Sequence, residues 1–142
     1  MMRKTIWIAL LLVAAVGCKK EVTPTTPGAD MLATGAEKQY TGSFVDGPYG
    51  RVTGKAHIVR NSNATFELLL EGLNSSNGPD LHVYLSKEIQ PVNFIDLGPL
   101  KSVAGNQLYR LQGPVDFSAY KFALVHCQAF NHLFGSAQLT KN

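Results

Sequence analysis

Cysteine is scarce in this chain of 142 residues, which contains only Cys18 and Cys127. With no Cys-x-x-C pair there is no thioredoxin-type dithiol and no zinc knuckle. Tryptophan is absent after Trp7, and methionine after Met31. Charge is thin, at 16% of residues. From Gln39 onward eight Lys or Arg stand against seven Asp or Glu, so the domain has no basic stripe of the kind nucleic acid requires. No apolar run reaches the roughly 20 residues of a membrane-spanning helix. A phosphate-cradling glycine loop, a His-Glu-x-x-His helix and a serine elbow are all missing, which excludes the commonest nucleotide-binding, zinc-protease and hydrolase chemistries.

What is present begins with the N-terminus. Arg3 and Lys4 precede an unbroken apolar stretch from Ile6 to Val16, followed by Gly17 and Cys18. That is the layout of a secretory signal. Ala15-Val16-Gly17-Cys18 also resembles the bacterial lipobox, which implies a signal peptide over residues 1–17 and lipid on Cys18. The alternative is ordinary secretory cleavage that leaves Cys18 a free thiol. Lipidation makes the chain a cell-envelope lipoprotein, in the outer membrane if the cell has one, and several acyl chains would hold it there. Cys18 could then form no disulfide, and Cys127 would be the one thiol left. Residues 18–38, with Thr23-Pro24-Thr25-Thr26-Pro27-Gly28 at their centre, read as the lipidated cysteine and a flexible tether.

Residues 39–142 are the size of one domain with one core. Within Arg51 to Arg60, Val52, Gly54, Ala56 and Ile58 alternate with Thr53, Lys55, His57 and Val59, the period of a half-buried strand. Phe66, Leu68 and Leu70 alternate likewise, as do Leu81, Val83 and Leu85. Tyr40 to Val45 is a further strand, and Leu73 to Pro79 reads as a loop. Lys87 to Asp96, with Ile89, Val92, Phe94 and Ile95, is expected to fold back over the core. Leu97–Val103 and Gln107–Leu111 read as a hairpin turning at Ala104-Gly105-Asn106, with Pro99 marking an edge. Phe122 to Val125 has the composition of a buried strand, and a turn near Gln128 and Ala129 returns the chain through Phe130, His132 and Phe134. About eight strands and no helical period after the signal predict an all-β, antiparallel β-sandwich.

Three stretches of this domain, in order, are Gly54-Lys55-Ala56-His57-Ile58, then Gly78-Pro79-Asp80-Leu81-His82-Val83-Tyr84-Leu85, then Cys127 with Phe130, Phe134-Gly135, Ala137 and Leu139. From about Ser43 to Leu139 the chain resembles the DM-thirteen domain family, an electron-transfer module found beside DOMON domains. The resemblance implies a β-sandwich, redox chemistry at the family's cysteine, here Cys127, and an envelope redox protein as partner. His126 stands where the family often has tryptophan.

Read from the residues alone, Cys127 has three fates: redox reactivity, or one of two alternatives, the first of which is inert burial. On a strand it shares a face with Ala123 and Val125 while His126 points away; if that face is the core, the thiol is an inert apolar filler. Reactivity needs a cation or strong donor nearby, and His132 supplies one only if a bulge corrects its register. The second alternative is a metal. Cys127 and His132, with His57 or His82 from another strand, have the residue types of a copper site on a cupredoxin-like sandwich, without an axial methionine. Asp46, Asp80, Asp96 and Asp116 each sit at a turn, where capping accounts for them. Three readings stay open: electron transfer or thiol redox through Cys127, a non-catalytic binding module with a structural cysteine, and a copper domain.

Overall fold

The computed structural model describes residues 29–142; the expected signal peptide, Cys18 and most of the expected tether lie outside the described residues. Every regular element among the described residues is a β-strand. They are β1 (Glu37–Asp46), β2 (Val52–Arg60), β3 (Phe66–Ser75), β4 (Leu81–Ser86), β5 (Phe94–Pro99), β6 (Ala104–Arg110), β7 (Phe122–Cys127), β8 (His132–Gln138) and the short β9 (Thr140–Lys141). All strand pairs are antiparallel.

The strand order is β5-β4-β7-β8-β1-β2-β3-β6, with β9 beside β1. β1 holds the two halves of the fold together. Its first part, Glu37 to Ser43, pairs with β2, and its last residues, Phe44 to Asp46, pair with β8. One half is therefore β1-β2-β3-β6, the other β5-β4-β7-β8 joined through the end of β1, and their inner faces meet in one core. Ala56, Ile58, Leu68 and Leu70 come from the first half; Leu81, Val83, Leu85, Ala123 and Val125 come from the second. The alternation of apolar and polar residues in β2, β3 and β4 is the alternation of faces in the sheet. Close approach of backbone sets where the halves join: a Cβ on Gly42 would lie 2.2 Å from the Gln138 carbonyl oxygen.

Three connections differ from the sequence expectation. The β5 and β6 segments do not form a hairpin: β5 pairs with β4 and β6 with β3, in different halves. Residues 100–103 cross between the halves, and the fully buried side chain of Gln107 satisfies them. Its Oε1 accepts from Lys101 N, Ser102 N and the Tyr109 hydroxyl, and its Nε2 donates to Ser102 O. A local turn signal cannot outweigh that set of bonds. Burial pushes the Tyr109 phenol up to about 12. The second difference is that β3 runs on to Ser75 through a register shift between Leu70 and Leu73, with Gly72 at positive φ, so the expected loop is shorter. Third, the 87–93 connection stays outside: Ile89 and Val92 are exposed, and only Ile95 packs on the core.

The sheet also takes in Glu37 and Lys38, which the sequence placed in the tether, and the chain before it is docked. Ala29 bridges Asn106 in parallel; the Asp30 carboxylate accepts from Lys101 Nζ at 2.9 Å and from Leu108 N at 3.0 Å. The Leu108 amide and the Lys101 ammonium hold Asp30 below the usual carboxylate range. Asp30→Ala is expected to lower stability by roughly 1.5–3 kcal/mol, the worth of one hydrogen bond to a charged group, read as a fall in urea midpoint at pH 7 that shrinks as the pH drops below the usual carboxylate range.

Candidate functional site

β7 reads Phe-Ala-Leu-Val-His-Cys, and alternation sends Ala123, Val125 and Cys127 inward. Cys127 is free and 1% exposed. Its cross-strand partners are Leu81 on β4 and His132 on β8. The second pairing depends on a register shift in β7–β8 between Val125 and His126. Without it His132 would fall out of line with Cys127; with it, the two side chains lie on one face, where opposed residues are neighbours. The turn that follows uses Asn131 at φ 52, a left-handed position that asparagine accepts.

His132 marks the rim of this end of the core. Its ring stacks on Tyr49 at 3.6 Å with the planes 1° apart, and Phe130 is 5.9 Å away. Phe134, 7% exposed, belongs to the same core cluster as Cys127. A Cβ on Gly50 would stand 2.3 Å from Phe134 Cδ1, and one on Gly78 would stand 2.9 Å from both Phe134 Cζ and Leu81 Cδ2. The ring is therefore seated against two glycines and beside the leucine that pairs with Cys127. A hollow of about 340 Å³ opens next to it, lined by Gly78, Pro79, Asp80, Leu81 and residues 99–103.

The other three histidines are elsewhere. His126 lies on the outer face, 2% exposed, its ring stacked on Tyr84 at 5.2 Å. The Asn131 Oδ1 lies 3.0 Å from His126 Nε2, while Nδ1 is buried without a partner. Burial holds this imidazole below its ordinary range. Tyr84 stacks on Phe94 at 4.2 Å, and burial, helped by Asp96, raises its phenol above the usual value. His82 bridges two carboxylates, Asp96 at Nδ1 (3.0 Å) and Asp80 at Nε2 (3.2 Å).

His57 is on the outer face of the other half, linked to Thr41 Oγ1 at 2.9 Å through Nδ1 and to Glu71 Oε2 at 3.0 Å through Nε2. Lys38 Nζ bonds the second Glu71 oxygen at 2.8 Å and holds that carboxyl below its usual range. Burial lowers His57 despite the attraction of Glu71.

Of the sequence-chosen residues the fold brings together Cys127 and His132 only. His57 and His82 face outward on opposite halves, each with both ring nitrogens engaged, whereas Cys127 faces inward. Among the described residues no group of three or more His, Cys, Asp or Glu could hold a metal ion. The residues present do not fit a copper centre.

Residues 43–139 match the family described as Electron transfer DM13. The chain belongs to the DM13 electron-transfer family. No curated protein and no solved structure matches it. Within the DM13 domain the motif residues that seemed scattered in sequence have physical reasons to sit where they do: Gly78 admits Phe134, Leu81 and Cys127 are paired across strands, and Gly135 admits Val52, whose Cβ stands 2.5 Å from the position of a Gly135 Cβ. Sequence reasoning missed Tyr49, Gly50 and Glu71. Tyr49 and Gly50 follow Pro48 in the 46–52 connection, and nothing local ties them to His132, more than eighty residues away.

Proposed function

We propose that the chain is a cell-envelope lipoprotein, anchored through Cys18, whose DM13 domain passes electrons through Cys127 in exchange with a redox protein partner. The observation that carries the reading is the juxtaposition of Cys127 and His132 at a core end closed by one aromatic ring in glycine seats. Thiol–disulfide exchange needs a sulfur to approach in line, which 1% exposure forbids while Phe134 is seated. Bond exchange therefore requires the Phe134 plug to swing out, whereas electron transfer across a few ångströms does not. In the latter case His132, opposed to Cys127 across the strand pair, is the imidazole placed to take the thiol proton once the two side chains close on each other.

The same burial favours a second reading, a binding module in which Cys127 is core filler. Two measurements separate them. Under the electron-transfer reading, Cys127→Ala keeps a cooperative fold, with a midpoint lowered by about 1 kcal/mol, and loses all exchange with a chemical oxidant. Alkylation of the native chain distinguishes the routes: a rate above that of global unfolding shows a local opening at Phe134. Oxidant consumption undiminished in Cys127→Ala would remove the redox assignment and leave the binding module.

A further inference from the structure

The strand directions gather the 46–52, 75–81, 99–104 and 127–132 connections at one end, the end at which Cys127 lies. Here Tyr49 is 56% exposed, Phe130 61% and Val45 60%. These are not loose side chains. Tyr49 and Phe130 both stack on His132, Tyr49 N donates to Leu133 O at 3.2 Å, and Gly47 N donates to Phe134 O at 2.7 Å. Tyr49, Phe130 and Val45 bring no carboxylate or ammonium of their own, and the four connections at this end contribute two charges of each sign, Asp46 and Asp80 against Arg51 and Lys101. A held, uncharged, aromatic surface has the chemistry of a membrane–water interface, where tyrosine and phenylalanine reside with one edge wet.

Chain entry decides for a bilayer. Ala29 is bridged to Asn106 near the start of β6, so the polypeptide arrives at this same end. Cys18 lies eleven residues earlier. Fully extended, that stretch reaches no more than about 40 Å. The opposite end also shows apolar side chains, Ile89 and Val92, but ten-residue β1 spans about 34 Å between the ends. Seating that end on the membrane would consume nearly all the reach. We infer that the Cys127 end rests on a lipid bilayer with Tyr49 and Phe130 at headgroup depth. The inference rests on the lipoprotein reading proposed above, and it makes the redox partner one held in the same bilayer.

The test places a tryptophan reporter in the full chain by Phe130→Trp in a Trp7→Phe background, on vesicles of phosphatidylethanolamine and phosphatidylglycerol with brominated acyl chains. The inference expects about twofold quenching of the indole at position 130, and none when the reporter is Val92→Trp. Adding Tyr49→Ser should weaken the quenching. Quenching confined to the Val92 position, or at neither, overturns the orientation. So does a blue shift at position 130 that grows with protein concentration without quenching, the mark of a protein contact. Flotation tests the anchor separately: if the intact chain and Cys18→Ser behave alike, lipidation fails. The orientation is then still decided by the same quenching on a chain held to nickel-chelating lipid through an N-terminal hexahistidine tag.

Discussion

Gly50→Ala will unseal Cys127. The added carbon would stand 2.3 Å from Phe134 Cδ1, 2.7 Å from Cγ and 2.9 Å from Ser76 Oγ, well inside contact distance. Phe134 cannot slide away from it, because its far edge already lies against Gly78, where a Cβ would stand 2.9 Å from Phe134 Cζ. The ring must swing outward. Overpacking of this kind costs roughly 1–3 kcal/mol, and a phenyl group lifted from a site where it is 7% exposed forfeits up to about 2 kcal/mol more. If Phe134 is the gate, the same energy lowers the barrier to opening, so a 2 kcal/mol effect raises alkylation of Cys127 about 30-fold. A control of comparable cost distinguishes gate from global unfolding: Ile58→Ala, worth roughly 2–5 kcal/mol, removes three carbons from the same core away from the Gly50 and Gly78 seats. Equal alkylation in the two variants would show that Phe134 guards nothing.

Local pattern and long-range fit govern different parts of this site. Alternation in β2, β3 and β4 revealed which residues face the core, since period two is a property of the strand itself. It put Cys127 and His126 on opposite faces, and it allowed His132 to approach the sulfur only through a bulge, which the β7–β8 register shift supplies. Whether such a shift exists is decided by long-range fit. Gly135 leaves room for Val52, and Gly47 packs against the Leu133 carbonyl, with its own Cβ position 2.4 Å from that oxygen. Those contacts join residues far apart in sequence. The β5–β6 misreading has the same origin, because Ala104-Gly105-Asn106 carries a good turn signal and the competing partner, buried Gln107, acts through tertiary bonds. Asp46 and Asp116 do cap turns, bonding Val52 N at 2.9 Å and Ser118 N at 2.9 Å. Asp96 does so at Gly98 N and in addition braces His82, a second role that only the β4–β5 pairing discloses.

Acid will weaken the fold in two separate stages, the first set by histidine. His57 and His126 are 3% and 2% exposed, and burial lowers both from the ordinary value of 6.5. The unfolded chain therefore binds more protons than the folded one from about pH 6.5 down to the folded pKa of each ring. Stability is full above that window and falls as pH drops through it, by at most about 1.4 kcal/mol per pH unit for each histidine. A further loss begins near pH 4, where Glu71 and Asp30, both held low by their lysine partners and hydrogen bonds, take up protons. The two histidines differ in what surrounds them. His57 has Glu71 to offset a charge, with Lys38 and Lys55 opposing it, whereas His126 faces His132, Tyr84 and the neutral Asn131, and its Nδ1 has no acceptor to receive a proton. The larger share of the first stage should then belong to His126. His126→Phe, which keeps a ring on Tyr84 and removes the orphaned nitrogen, is expected to flatten the urea midpoint between pH 6.5 and 5 more than His57→Gln does. A midpoint that falls as steeply in His126→Phe as in the parent chain would mean that the first stage does not arise at this ring.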